Sequence, residues 1–269
     1  TAPEPSMFVK INTDDEDNIT GYVIAISFVD DVRFFGTENE ITEYKRLVSS
    51  KLKVKFDEPP ISDFVSIETH QDIKLGITEL KMPRYYDKAT NFFKTFAPKG
   101  FKNRSVPLTI LDETILDTSA TEEEIKAAKH LPFLQAVGIL SYPASNCKFE
   151  IRYAVSILGS RRVGWSLKHF AIALKLFEYC LTTKHMGLMY SNGLDPHGMN
   201  ILYSYGDANL RIPRPQSCRI VMMNGAATSM VSKKQTRTAP NTCCAESKAA
   251  FDTSTDVMRL RNLLSELGN

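Results

Sequence analysis

Two adjacent carboxylates stand at a tight reversal between two apolar runs of the sequence. Asp30 and Asp31 lie between Ala25–Phe28 and Val32–Phe35. Mg²⁺ prefers hard oxygen ligands and keeps several of its waters, so one or two carboxylates on a stiff turn suit it. Two such ions about 3.5–4 Å apart can activate an attacking oxygen and stabilise a leaving phosphate. Asp is also common in hairpin turns because it tolerates turn geometry, and the spacing alone leaves both interpretations open.

Short strands and a helix are predicted around this turn. Apolar runs over Met7–Ile11, Tyr22–Phe28 and Val32–Phe35 predict strands, with a polar loop between the first two. A helix follows, because Thr37 and Glu40 stand at capping-box spacing. Its predicted inward face consists of Ile41, Tyr44, Leu47 and Val48.

A hairpin and several helices are predicted over the middle of the chain. The hairpin covers Phe64–Glu68 and Ile73–Leu80, and a short helix follows over Tyr85–Phe96. Residues 97–120 predict an irregular linker or surface segment. Further helices are expected from a capping box at Thr121 and Glu124 to about Ala136, with continuation through Tyr142, then over Ile151–Leu158 and Leu167–Leu181.

The last third has the most specific local signals. Ile201–Tyr205 predicts a strand ending at Asp207, and Asn224-Gly225 predicts a tight hairpin turn between Arg219–Met223 and Ala226–Val231. Gly36 and Gly206 are interpreted as turn glycines rather than as a phosphate loop. The chain then predicts a helix over Ala245–Leu267, stopped by Gly268, with an inward face of Val257, Leu260, Leu264 and Leu267.

The string around the two acids resembles a known motif. Ser27-Phe28-Val29-Asp30-Asp31-Val32 is similar to the Y-V-D-D box of reverse transcriptases, with Phe28 in place of Tyr. Later segments resemble further landmarks of copia-type LTR retrotransposon polyproteins, in the family's order: Thr78–Ala89, Gln135–Tyr142, Tyr153-Ala154-Val155, His169-Phe170 and Gly187–Tyr190. The ordered set resembles that family over nearly the whole chain.

The resemblance extends into an RNase H segment. Tyr205-Gly206-Asp207-Ala208-Asn209 resembles the family's Y-S-D-A-D, Ser232–Gln235 its S-K-K-Q, and Cys244-Ala245-Glu246 the E-A-E of its T-E-A-E-Y. These matches imply that Asp207 and Glu246 are catalytic ligands of Mg²⁺ (or Mn²⁺), as Asp30 and Asp31 would be at the polymerase site. The predicted order of strand, hairpin and helix also brings Asp207 and Glu246 towards one sheet end. A lone surface Asp or Glu is otherwise usually a solvated charge.

The resemblance implies an α+β fold class: the C-terminal part of a reverse-transcriptase palm and thumb, a helical connection, and a truncated RNase H-like α/β domain. The corresponding segments are 1–110, 111–198 and 199–269. The implied partners are an RNA template, an RNA–DNA hybrid and dNTPs. Basic side chains predicted to contact nucleic acid are Lys45, Arg46, Lys51, Lys233 and Lys234, since basic groups neutralise phosphates independently of sequence. Ordinary solvated helix faces are the alternative for such clusters.

Composition excludes some classes of protein and leaves others open. The net charge of +2 is too small to indicate nucleic-acid binding on its own. No run approaches the roughly 18 apolar residues that a membrane helix needs. Five cysteines without a C-x-x-C pair favour reduced thiols in an intracellular protein, which the resemblance would place in a cytoplasmic particle or the nucleus.

Several features argue against an active enzyme in this chain alone. The resemblance places a third palm carboxylate before Thr1 and a third RNase H acid after Asn269, so we expect part of a longer protein with neither activity by itself. Met230 replaces the family's Trp and Ser247 its Tyr, which indicates drift. Whether the chain is an enzyme therefore stays open. The alternatives are a non-catalytic remnant that binds nucleic acid or partner subunits, and a decayed element without function.

Overall fold

Three strands near the start of the chain form an antiparallel sheet in the computed structural model, which describes residues 6–56, 61–191, 193, 197, 200–210 and 213–267. They are β1 (Met7–Thr13), β2 (Ile19–Phe28) and β3 (Asp31–Gly36), in the order β1-β2-β3. The predicted strands at these positions are therefore confirmed. The polar loop after Thr13 is closed by Asp14, whose carboxylate accepts the backbone N–H of Asn18 at 2.9 Å.

The first helix, α1 (Glu38–Lys51), packs on this sheet through Tyr44, whose ring lies 4.9 Å from that of Phe34. The predicted capping box is wrong, because the Thr37 side chain makes no cap hydrogen bond. The Glu40 carboxylate instead accepts hydrogen bonds from Lys10 Nζ at 2.8 Å and Asn12 Nδ2 at 2.7 Å, so partners on β1 take the place of the local one. The predicted inward face is half-buried except for Leu47, which is 44% exposed.

The chain divides into two structural units. The first contains Thr1–Ser66 and Arg259–Asn269, and includes β4 (Ile61–Phe64); the second contains Ile67–Met258. The segments predicted from the resemblance, with boundaries at 110/111 and 198/199, follow the order of the family's motifs rather than compactness of the fold. They stay a prediction.

The second unit begins with a hairpin of β5 (Ile67–Asp72) and β6 (Ile77–Lys81). The sequence predicts this hairpin with the wrong strand limits, because residues 73–76 form its turn. That turn is stabilised by the Asp72 carboxylate, which accepts the Leu75 N–H at 3.0 Å, and by Gly76, whose φ is +63°. A later strand, β7 (Leu188–Ser191), pairs antiparallel with β6.

Between β6 and β7, all of whose residues are described, the chain forms six α-helices: α2 (Pro83–Phe93), α3 (Ile110–Asp117), α4 (Glu122–Ala128), α5 (Phe133–Asn146), α6 (Arg152–Ser160) and α7 (Leu167–Thr182). The irregular segment predicted for 97–120 is wrong where α3 lies. Thr109 and Asp112 form a capping box there, and Leu116 is fully buried. The capping box at Thr121 and Glu124 is confirmed, but α4 ends at Ala128 and a new helix begins after Pro132.

Aromatic side chains fill the core of this helical region. The Phe93 and Phe177 rings stack with centroids 4.1 Å apart, and Phe133 stacks on Trp165 at 4.9 Å. Burying such rings is a large part of the apolar area that stabilises a core. The helices therefore form the packed core of the second unit.

A third antiparallel sheet has the order β10-β9-β8, with β8 (Tyr203–Asn209), β9 (Gln216–Met223) and β10 (Ala226–Lys234). Both turn residues between β9 and β10 have positive φ, +52° at Asn224 and +83° at Gly225. This is the geometry of a type I′ turn, so the hairpin predicted there is confirmed. The strand predicted to end at Asp207 continues to Asn209.

The final helix, α8 (Thr242–Glu266), has a different inward face from the predicted one. Its buried side chains are Ala245, Ala249 and Thr253, whereas the four predicted apolar residues are only half-buried. Small residues allow a helix to approach a strand closely. A prediction based on the periodicity of large apolar residues does not find a buried face made of small ones. The stop predicted at Gly268 lies outside the described residues. The fold class is α+β, as predicted, and the described strands form three small antiparallel sheets.

Candidate metal-binding carboxylates

The Asp30–Asp31 turn is the tip of the β2–β3 hairpin. Phe28 pairs with Asp31, so Val29 and Asp30 are the two turn residues and Asp31 begins β3. Val29 has a φ of +54°, which two-residue hairpin turns require at their first position but which a β-branched residue rarely adopts. Asp30 and Asp31 are both exposed. The hairpin therefore presents two adjacent carboxylates to solvent at a tight turn.

Neither carboxylate belongs to a preformed metal cluster. Among the described residues, no group of three or more His, Cys, Asp or Glu side chains lies close enough to hold a metal ion. Mg²⁺ often uses only one or two carboxylates and completes its shell with water and substrate phosphates. Asp30 and Asp31 fit that kind of open site.

Asp207 lies in β8, the edge strand of the third sheet, opposite Cys218 of β9. It is exposed, while the next residue, Ala208, is buried. Burial and the negative charge of Asp207 both raise the pKa of the Cys218 thiol. Asp207 is thus a solvent-facing carboxylate within a regular strand.

Glu246 reaches β8 from the start of α8. Its Oε2 accepts the backbone N–H of Ala208 at 3.1 Å, and its side chain is half-buried. A charge-assisted bond of this kind fixes the orientation of the carboxylate. The Glu246 carboxylate therefore lies beside the backbone of the residue that directly follows Asp207. The Asp207 side chain itself points to the other face of β8, because it alternates with Gly206 and Ala208, which both face α8. The expectation that the two carboxylates come together stays a prediction.

Close approach of α8 to β8 depends on Gly206. A Cβ at this position would lie 2.3 Å from Thr253 Oγ1 and 3.2 Å from Thr253 Cβ. Ala208 continues the contact by packing against Ala245 and Ala249. The interpretation of Gly206 as a turn glycine is wrong, since it lies inside β8 and is needed for helix packing. Gly36 is likewise the last residue of β3, where a Cβ would lie 2.2 Å from the Tyr22 carbonyl oxygen.

A buried arginine also holds α8 against the sheet. Arg219 pairs with Gly206 across the β8–β9 ladder, so its side chain lies on the same face. It is 8% exposed and forms an ion pair with Asp256, with Asp252 at 3.9 Å from Nη1. Sequence reasoning missed this network. Its only signal is an arginine inside an apolar strand followed by two acids at helical spacing, Asp252 and Asp256.

The predicted nucleic-acid contacts lie in both structural units. Lys45, Arg46 and Lys51 lie on α1, but at about 100° per residue they point in three different directions. Arg46 is paired with Glu43 at 2.8 Å, and Lys45 Nζ lies 5.4 Å from the centre of the Phe56 ring. Lys233 and Lys234 are exposed at the end of β10 in the second unit. Arg46 donates to Glu43 from both Nε and Nη2, so part of its guanidinium is already engaged by a carboxylate of the same helix.

Of the helices in the described part of the chain, none combines the length and the apolar character needed to span a membrane. No protein-family model matches the sequence, and neither curated proteins nor solved structures give a match.

Proposed function

We propose that the chain is part of the polymerase and RNase H region of a copia-type retrotransposon polyprotein, and that Asp207 and Glu246 are ligands of a two-metal nuclease site. The observation that carries this proposal is the hydrogen bond from the Ala208 N–H to Glu246 Oε2 at 3.1 Å. It joins the two elements whose motifs resemble those of RNase H. The ordered sequence landmarks give the proposal its second, independent support.

Carboxylate oxygens are the ligands that a hard cation prefers. Asp207 is exposed, and the bond to Ala208 uses Oε2 of Glu246 and leaves Oε1 available as a ligand. Bound Mg²⁺ or Mn²⁺ would activate an attacking oxygen and stabilise the departing one during cleavage of the RNA strand of a hybrid. In this proposal the chain contributes two carboxylates, one of which is oriented by its hydrogen bond to β8. Two carboxylates are fewer than such a site uses, so we expect no cleavage by this chain alone.

We extend the proposal to Asp30 and Asp31 as Mg²⁺ ligands of an RNA-directed DNA polymerase site, which would take an RNA template and dNTPs. Support comes from the placement of both exposed acids at the tip of a two-residue hairpin turn. The finer fold that belongs to this proposal is a palm end and thumb, a helical connection and the first half of an RNase H-like domain.

Cation titration tests the nuclease site. We expect Mn²⁺ to give a tight calorimetric phase that Asp207→Asn and Glu246→Gln each abolish, while a weaker phase from Asp30 and Asp31 remains. Glu113→Gln is the matched control, because Glu113 is an exposed helical carboxylate outside the site. An unchanged heat in Asp207→Asn and Glu246→Gln, or no heat with the unaltered chain, would refute the proposed site.

Affinity for an RNA–DNA hybrid tests the rival function, a remnant that binds nucleic acid without catalysis. In EDTA, contacts to phosphates make the affinity fall steeply with salt concentration. A steep salt dependence together with no cation response would favour the remnant. A decayed element without function would give neither response.

A further inference from the structure

The five cysteines differ sharply in accessibility. Cys147 and Cys180 are buried, and burial raises the pKa of each thiol to about 12. Cys218 is half-buried, whereas Cys243 and Cys244 are both exposed. Reagents in solution can therefore reach two adjacent thiols while two others are protected by the helical core.

The exposed pair is held on the first turn of α8. The Cys244 N–H donates to Asn241 Oδ1 at 2.9 Å, and the Ala245 N–H donates to the Asn241 carbonyl at 3.3 Å. The next side chain, Ala245, is fully buried against β8. The backbone of both cysteines is thus fixed by the cap and by packing, while their side chains face solvent.

Helical backbone prevents these two thiols from closing readily on each other. Consecutive Cα atoms are about 3.8 Å apart, below the roughly 4.4 Å lower limit seen across disulfides. A direct S–S bond would therefore distort the first turn of α8. A single larger atom between the two sulfurs lengthens the bridge and removes that restriction.

We infer that Cys243 and Cys244 form a two-thiol binding site for trivalent arsenic compounds. An arsenoxide would react by forming two As–S bonds while both S–H bonds break, and its oxygen would leave with the two protons as water. Arsenic stays trivalent, so the step needs no oxidant or reductant. Partial positive charge at a helix N-terminus also favours electron-rich sulfur ligands there.

The site has a consequence for the nuclease centre, and this consequence rests on the proposed function. Cys243 and Glu246 are three residues apart on α8, so their side chains are neighbours on the helix surface. An aryl group bound through Cys243 would lie beside the Glu246 carboxylate. Arsenical binding itself requires no metal or nucleic acid, so it can succeed where the nuclease proposal fails.

Titration with phenylarsine oxide, followed by intact mass and peptide mapping, tests the site. We expect one adduct per chain that joins Cys243 and Cys244, with Cys147 and Cys180 unmodified. Cys243→Ser and Cys244→Ser should each weaken binding by about 100-fold or more, because the second bond forms within one molecule. Cys218→Ser is the matched control and should bind like the unaltered chain.

Two results would overturn the inference. One is full affinity in either Cys243→Ser or Cys244→Ser, which would mean that a single thiol suffices. The other is an adduct that maps to the buried cysteines. Far-ultraviolet circular dichroism of each variant verifies that α8 and the other helices remain folded.

Discussion

The acids of the β2–β3 hairpin are neighbours in the chain, whereas Asp207 and Glu246 lie on different elements that pack together. Asp30 and Asp31 are exposed and near each other only because the chain connects them. Glu246 is oriented by a hydrogen bond to β8 and carried by a helix whose inner face is buried. Two acids that are adjacent in sequence are close in any fold. The orientation of a carboxylate, in contrast, depends on the residues packed around it. The second region is therefore the better candidate for a site with fixed geometry.

The largest expected effect comes from removing both partners of Arg219, by Asp252→Asn with Asp256→Asn. The Arg219 charge would remain mostly buried without a counter-charge. Because both aspartates are partly exposed, we expect a loss of about 2–3 kcal/mol in the free energy of unfolding, below the roughly 3–5 kcal/mol of fully buried pairs. Urea denaturation followed by circular dichroism measures it.

A third substitution sharpens this test. Adding Arg219→Met removes the buried charge itself and should recover much of the lost stability. If the double variant is as stable as the unaltered chain, the ion pairs do not hold α8 on the sheet.

A smaller loss is expected from Gly206→Ala, which adds a Cβ against Thr253 Oγ1. Crowding of this kind costs about 1–3 kcal/mol, and we expect the lower end of that range because the nearest atom belongs to a side chain that can shift. Thr253→Ala in the same chain removes the nearest atom and should return part of the stability. Gly164→Ala is the control, since nothing lies within 4 Å of its added Cβ. Equal stability of Gly206→Ala and Gly164→Ala in urea would contradict the close approach of β8 and α8.

The smallest effect, and the only gain, is expected in the other region. Val29 is 83% exposed with a φ of +54°, so Val29→Gly removes backbone strain and loses little packing. We expect stabilisation by about 1 kcal/mol, measured by the same denaturation. Val32→Gly, an exposed strand position without positive φ, should instead destabilise the hairpin. A loss of stability in Val29→Gly would show that the turn is not strained.

Sequence reasoning succeeded where the determining interactions are local. The turn at Asn224-Gly225 follows from the φ preferences of those residues, and the capping box at Thr121 involves only Glu124, three residues away. The same local pattern failed at Thr37, because the carboxylate expected to cap the helix binds Lys10 and Asn12 of a distant strand.

The misses have a common cause in contacts between distant segments. The need for glycine at position 206 comes from Thr253, and the need for an acid at 256 comes from Arg219. The sequence does not predict α3, because this helix has no regular apolar face. Its buried residue Leu116 is covered by packing of α3 against α6 and α7. The candidate acids themselves were found through motif resemblance, while the packing that orients Glu246 could be seen only in the fold.

Backbone amide NMR during a Mn²⁺ titration tests the comparison most directly, since the paramagnetic ion broadens nearby resonances. The account predicts that the amides of Asp207 and Ala208 broaden at lower Mn²⁺ concentrations than those of Asp30 and Asp31. It also predicts that Glu246→Gln abolishes the broadening at Asp207 and Ala208 and leaves the hairpin response unchanged. Broadening of the hairpin amides first, or no dependence on Glu246, would contradict the claim that packing of α8 on β8 forms a cation site.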